Sequence, residues 1–120
     1  MKKFFLILFI FFSPSAFAEC LLSDCYNGLG LFNYSNGKIY VGDFKNYQWQ
    51  GNGKIIYPDR SIYIGYFENN YKNGDGIFVY PSGDVFIGEF LNNKKNGNGT
   101  LLYSNGDHFI GEWNNDLRIG

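Results

Sequence analysis

The sequence predicts an all-β chain, an elongated single-layer antiparallel meander of about eight strands preceded by an export signal. Three observations predict it. Aromatic residues open a motif at Tyr40, Tyr63, Phe86 and Phe109, each 23 residues after the last. Within every motif a glycine and a second aromatic follow at two-residue steps: Gly42 and Phe44, Gly65 and Phe67, Gly88 and Phe90, Gly111 and Trp113. Alternation of that kind is the period of a strand. Paired glycines and closing tyrosines then recur in register, Gly51/Gly53 with Tyr57, Gly74/Gly76 with Tyr80, and Gly97/Gly99 with Tyr103. A fixed period of this length marks a repeat architecture, in which each unit packs on its neighbours.

The first element, residues 1–18, differs from the rest. Lys2 and Lys3 precede an unbroken apolar run from Phe4 to Phe12, Ser13-Pro14 ends it, and Ala16-Phe17-Ala18 offers small residues at the cleavage positions. This is the pattern of an export signal cut after Ala18, and the run is too short to span a bilayer, which takes about 20 residues. Export places the product in the periplasm or outside the cell. Removing Lys2 and Lys3 leaves eight basic against eleven acidic side chains, a formal charge of −3. That balance excludes nucleic acid as a partner, because phosphate binding needs a clustered positive surface.

Residues 19–25 form the next element. Cys20 and Cys25 enclose four residues, and in an oxidising compartment the pair most simply forms a local disulfide that caps the chain. Two thiols and the distant His108 do not make up a metal site, so no metal or other cofactor is expected.

The remaining residues, 26–120, form the sheet domain. A half unit spans 26–39, three full units span 40–62, 63–85 and 86–108, and a final half spans 109–120. Gly and Asn mark the chain reversals because they tolerate positive φ. Each unit therefore reads as two antiparallel strands joined by short loops. Strand parity places Tyr40, Phe44, Tyr57, Tyr63, Phe67, Tyr80, Phe86, Phe90, Tyr103, Phe109 and Trp113 on one side, as an aromatic stack that forms the core. The opposite side carries β-branched residues, with Ile62, Ile64, Val85, Ile87 and Ile110 as the candidate contact face. A single-layer sheet cannot bury both of its sides.

These motifs resemble the MORN-repeat family, whose unit runs aromatic-x-Gly-x-aromatic, a loop, Gly-x-Gly, then Tyr-x-x-Gly. The resemblance covers Tyr26 to Gly120 and implies MORN-type β-hairpin repeats. It departs at two points. The glycine such units carry three residues after the second aromatic is Tyr47, Asn70, Asn93 or Asp116 here, and Arg60 stands where Gly37, Gly83 and Gly106 end the other units. The resemblance implies a scaffold or adaptor, with a membrane association for some members.

No catalytic residue stands out. His108 is the one histidine, and it takes the slot that Ile39, Ile62 and Val85 hold in earlier units. The Gly-x-Gly loops precede strands, not the helix a phosphate loop needs, and they lack the acidic spacing of a calcium loop. The expected function is a non-catalytic exported module that binds a protein partner or a second copy of itself. Two alternatives are a cell-wall glycan, stacked on Tyr47, Trp49, Tyr66 and Tyr71, and a peripheral lipid surface.

Overall fold

A computed structural model describes residues 18–120, so the export signal expected at 1–18 lies, apart from Ala18, outside the described residues. Ten strands follow one another in a single antiparallel sheet whose spatial order is the chain order. They are β1 (Glu19–Leu22), β2 (Asn27–Asn33), β3 (Ile39–Lys45), β4 (Gln48–Ile56), β5 (Ile62–Glu68), β6 (Tyr71–Val79), β7 (Val85–Leu91), β8 (Lys94–Leu102), β9 (His108–Asn114) and β10 (Leu117–Arg118). Among the described residues there is no helix. The body measures 68 × 33 × 18 Å, the dimensions of a long thin ribbon.

The all-β meander expected from the sequence is therefore observed, with two strands more than the expected eight. Both extra strands are short and terminal. β1 pairs with β2 through Glu19–Asn33, Cys20–Phe32 and Leu22–Leu31, so the N-terminal cap is itself a strand. The Cys20–Cys25 disulfide closes the turn behind β1, and Cys25 is buried against the aromatic core. β10 pairs with β9 through only two residues, and two further backbone bonds tie Ile119 and Gly120 to Glu112. Each terminal segment covers the open ladder that an edge strand would otherwise present.

The core is a chain of rings laid over bare backbone. Eight glycines pair in one unbroken row from β2 to β9: Gly30, Gly42, Gly53, Gly65, Gly76, Gly88, Gly99 and Gly111. A Cβ on Gly76 would stand 2.5 Å from Cε1 of Tyr63, and one on Gly99 would stand 2.4 Å from Cζ of Phe86. The rings of Tyr40, Tyr63, Phe86 and Phe109 occupy the space those side chains would need. They meet the second aromatics edge to face, in the order Phe44, Tyr40, Phe67, Tyr63, Phe90, Phe86, Trp113, Phe109. Successive centroids lie 4.9 to 5.4 Å apart, the separation at which edge-to-face pairs add about 0.5–1.5 kcal/mol each beyond their buried area. Of the expected stack, Tyr40, Phe44, Tyr63, Phe67, Phe86, Phe90 and Trp113 are buried, and Tyr57, Tyr80 and Phe109 pack half-buried against them. Tyr103 is half-buried toward the C-terminal end.

The Gly-x-Gly pairs have a divided role. Between β5 and β6 the register slips from Gly65–Gly76 to Phe67–Lys72, which leaves Tyr66 opposite a bulge of three residues. Gly74 lies in that bulge at φ +84°, a conformation that favours glycine, whereas Gly76 is the residue beneath the ring. The same slip recurs at Asp43 and at Glu89. It frees a backbone carbonyl, and the phenols of Tyr40 and Tyr63 donate to those of Asp43 and Tyr66 at 2.7 and 3.0 Å.

Both departures from the repeat pattern fall at positive φ. Asn46-Tyr47, Asn69-Asn70, Asn92-Asn93 and Asn115-Asp116 each hold two consecutive residues between +49° and +75°, the backbone of a type I′ hairpin turn. Asn and Asp tolerate it best among the residues with side chains. They also clasp the neighbouring unit: Asn70 Oδ1 accepts from the Trp49 amide, Asn93 Oδ1 from Lys72 and Asp116 Oδ1 from Lys95, at 2.7 to 2.8 Å. A glycine there would make no such bond. Arg60 sits at φ +78° where its counterparts are Gly37, Gly83 and Gly106. The turn closes regardless, with Arg60 N–H donating to Tyr57 C=O at 2.9 Å and Asp59 accepting from the Ser61 amide and hydroxyl.

Two outcomes follow from this backbone. Gly76→Ala should lower stability by about 1–3 kcal/mol in urea unfolding, since the methyl forces the Tyr63 ring off the sheet. Arg60→Gly should raise it by up to about 1 kcal/mol, because the strained left-handed residue is relieved.

Candidate functional site

The two sides of the sheet offer different chemistry. On the aliphatic side, cross-strand pairing sets Ile64 beside Ile77 and Ile77 beside Ile87, with Thr100 between Ile87 and Ile110. A parallel row runs Ile39, Ile56, Ile62, Val79, Val85, Leu102 and ends at His108. Ile64 and Ile87 are each 45% exposed and Ile110 is 70% exposed, while Ile62 and Val85 are half-buried by their neighbours. Ile64, Ile77, Ile87, Asp75 and the bare backbone of Gly76 and Gly88 line an open depression of about 420 Å³. Asp75 lines its edge, and Glu89 is its cross-strand partner. A contiguous apolar strip with an acidic border is a surface that gains free energy by being covered.

The four rings considered for sugar stacking do not share a platform. Trp49 is half-buried on the aromatic side, its indole stacked on Tyr40 at 4.9 Å and its Nε1–H donating to Tyr34 Oη at 2.8 Å. A sugar cannot displace those contacts cheaply, so Trp49 is a packing residue. Tyr66 follows Gly65, and strand alternation puts it on the aliphatic side with Ile64. Tyr47 is exposed at a hairpin turn, edge-on to Tyr26 at 4.5 Å, and Tyr71 is exposed opposite Glu68.

The aromatic side also carries a set of cations that net charge does not reveal. Trp49, Lys72, Lys95 and Arg118 occupy one slot at the 23-residue period. Each donates to the closing tyrosine of the preceding unit: Lys72 Nζ to Tyr57 Oη at 3.1 Å, Lys95 Nζ to Tyr80 Oη at 3.0 Å and Arg118 Nη1 to Tyr103 Oη at 3.0 Å. Lys72 Nζ also lies 5.5 to 5.7 Å from the ring centroids of Tyr57, Tyr63 and Phe78, and the Arg118 guanidinium is 3.5 Å above Phe109. Rings at such distances attract cations through their quadrupoles. Lys95 has a carboxylate partner, Asp116 at 3.6 Å, the single salt bridge among the described residues. Lys72 has none, and desolvation holds its pKa below the usual lysine value.

Burial acts in the other direction on the phenols. It pushes Tyr40 and Tyr63 well above the usual tyrosine value, with Asp43 adding to the effect at Tyr40. Both are neutral donors in the folded protein.

A chain with this unit matches the MORN repeat family model over residues 40–62, 63–85, 86–108 and 109–118, and it belongs to that family. Its repeats lie in one continuous sheet of hairpins. None of the curated proteins matches the sequence. Among solved structures it is similar to the SAS-4 (dCPAP) TCP domain of Drosophila melanogaster in complex with a proline-rich motif of Ana2 (dSTIL). The TM-score is 0.54 at 16% identity, over 83% of this chain and 56% of that one, a likeness of fold.

The raised phenol values give a pH dependence with a definite sign. A group whose folded pKa is raised contributes stability that is present below its unfolded value of 10.0 and lost as pH climbs past it. Thermal unfolding should thus show falling stability above about pH 10, and Tyr40→Phe/Tyr63→Phe should flatten that decline.

Proposed function

We propose that the chain is an exported, non-catalytic interaction module that binds another protein, or its own copy, through the aliphatic side of the sheet. The observation that carries this reading is the exposed Ile64–Ile77–Ile87 row, laid across three adjacent strands over an open apolar depression. On the opposite side most of the repeat rings are buried in the core or packed against it, whereas Ile64, Ile77, Ile87 and Ile110 stand exposed. Membership of a repeat family and the likeness to a domain solved with a peptide motif support protein as the class of partner. The signal-like residues 1–18 support a periplasmic or extracellular site of action after cleavage following Ala18. Binding would proceed by shape-matched burial, without turnover.

The test is site-specific photocrosslinking in the exporting cell, with the crosslinker placed at Ile87 and, as a control, at Asn105. Discrete protein adducts from position 87, either a dimer or one partner, are expected, and Ile64→Asp should reduce them about tenfold. Adducts to lipid alone, equal labelling from both positions, or indifference to Ile64→Asp would reject the reading.

A further inference from the structure

The cation row lies on the aromatic side, opposite the aliphatic strip, and each of its members reaches a closing tyrosine. Lys72, Lys95 and Arg118 stand two strands apart along the ribbon. Neighbouring strands lie about 4.8 Å apart, so successive cations recur every ~9.6 Å. Three residues of a polyproline II helix advance about 9.3 Å, almost the same interval. The two rods are commensurate.

The slots between the cations suit proline. Lys72, Phe78, Tyr80, Phe90, Asn93, Lys95 and Asp116 line a depression of about 180 Å³, where a ring flank adjoins two ammonium groups. Flat aromatic walls are the surfaces on which pyrrolidine rings pack, and a polyproline segment arrives with little conformational entropy left to lose. Each lysine ammonium has three donors, and the structure commits one of those on Lys72, to Tyr57 Oη. The remaining two, on a cation that lacks a carboxylate partner and is held in a partly desolvated setting, are available to an anion. Asp116 lines the same depression, pairs with Lys95 at 3.6 Å and also acts on the Lys72 charge, so two ammonium groups and one carboxylate leave this part of the row with a net positive charge. In a protein with more acidic than basic groups, a line of cations set among rings is a local reversal of sign.

We infer that the aromatic side binds an extended polyproline II segment bearing an acidic side chain at every third position, each carboxylate meeting Lys72, Lys95 or Arg118 in turn. The prolines between them lie against Tyr57, Phe78, Tyr80 and Tyr103. Specificity comes from matching two periods, so a flexible acidic chain of the same charge is a poorer ligand.

The test uses the purified protein and three synthetic peptides in calorimetric titration: four repeats of Glu-Pro-Pro, four of Lys-Pro-Pro and four of Glu-Gly-Ser. Glu-Pro-Pro should bind, with affinity that falls as salt rises, at least about tenfold more tightly than Glu-Gly-Ser, while Lys-Pro-Pro should not bind. Lys72→Met and Lys95→Met keep the apolar stems and should each weaken Glu-Pro-Pro binding about fivefold. Ile64→Asp should leave it unchanged, which separates this site from the one on the aliphatic side. Equal binding of the acidic and basic peptides, parity between Glu-Pro-Pro and Glu-Gly-Ser, indifference to Lys72→Met, or no Glu-Pro-Pro binding would overturn the inference. So would lysine-dependent binding to phosphatidylglycerol vesicles without binding of the peptide, which would assign the row to a membrane surface.

Discussion

The constraint on which this structure depends is the contact between an aromatic ring and a strand that has no side chain beneath it. A single-layer sheet has no second layer to enclose its apolar groups, so it must make a core out of its own thickness. It does so by removing eight side chains in a row and letting the rings of Tyr40, Tyr63, Phe86 and Phe109 lie down in the vacated space. The rings of Tyr40, Tyr63 and Phe86 are each met edge to face by the second aromatic of the next unit, Phe67, Phe90 and Trp113. The glycines are therefore half of the core. Since every ring touches a neighbour from the adjacent unit, the core has no interior layer and grows only lengthwise.

That arrangement also gives the two sides of the molecule different surfaces. The aromatic side satisfies itself and exposes mostly ring edges and tethered cations. The aliphatic side has short branched side chains on a pleated surface, and nothing among the described residues lies over it. Ile64 and Ile87 keep nearly half their surface, although residues of their type are buried first in ordinary domains. The asymmetry follows from the unit itself, because two-residue alternation with a ring on one parity must place its β-branched partners on the other.

Much of this was legible in the residues because the period repeats the same message four times. Tyr63, Gly65 and Phe67 define a strand and its inward side, and Gly74 and Gly76 mark where the next strand bends and passes beneath a ring. The terminal strands were less legible. Glu19–Leu22 and Leu117–Arg118 lie outside the full units, and their pairing is a matter of edges needing partners, which no alternation announces. Trp49 was misplaced for a related reason. As an isolated residue it reads as an exposed ring, but in the frame of the repeat it shares a slot with Lys72, Lys95 and Arg118, whose polar tips reach a tyrosine fifteen residues back. The indole N–H does what the ammonium and guanidinium do elsewhere. The signal was in the period, and reading charges as a net sum concealed it.

The clasps made by Asn70, Asn93 and Asp116 show how such a protein can change length. Each joins its own turn to a backbone amide in the preceding unit, that of Trp49, Lys72 or Lys95, 21 residues back, and all three joints pair a backbone N–H with a side-chain Oδ1. If a gene lost the codons for residues 63–85, Asn93 would inherit the backbone amide of Trp49, and Phe90 would inherit the ring of Tyr40. The seam would close on contacts the molecule already contains. Insertion or loss of any other number of residues would leave a ring without its glycine. Such a chain can be lengthened or shortened by recombination only in whole links, and the joint between links is what makes the count an integer.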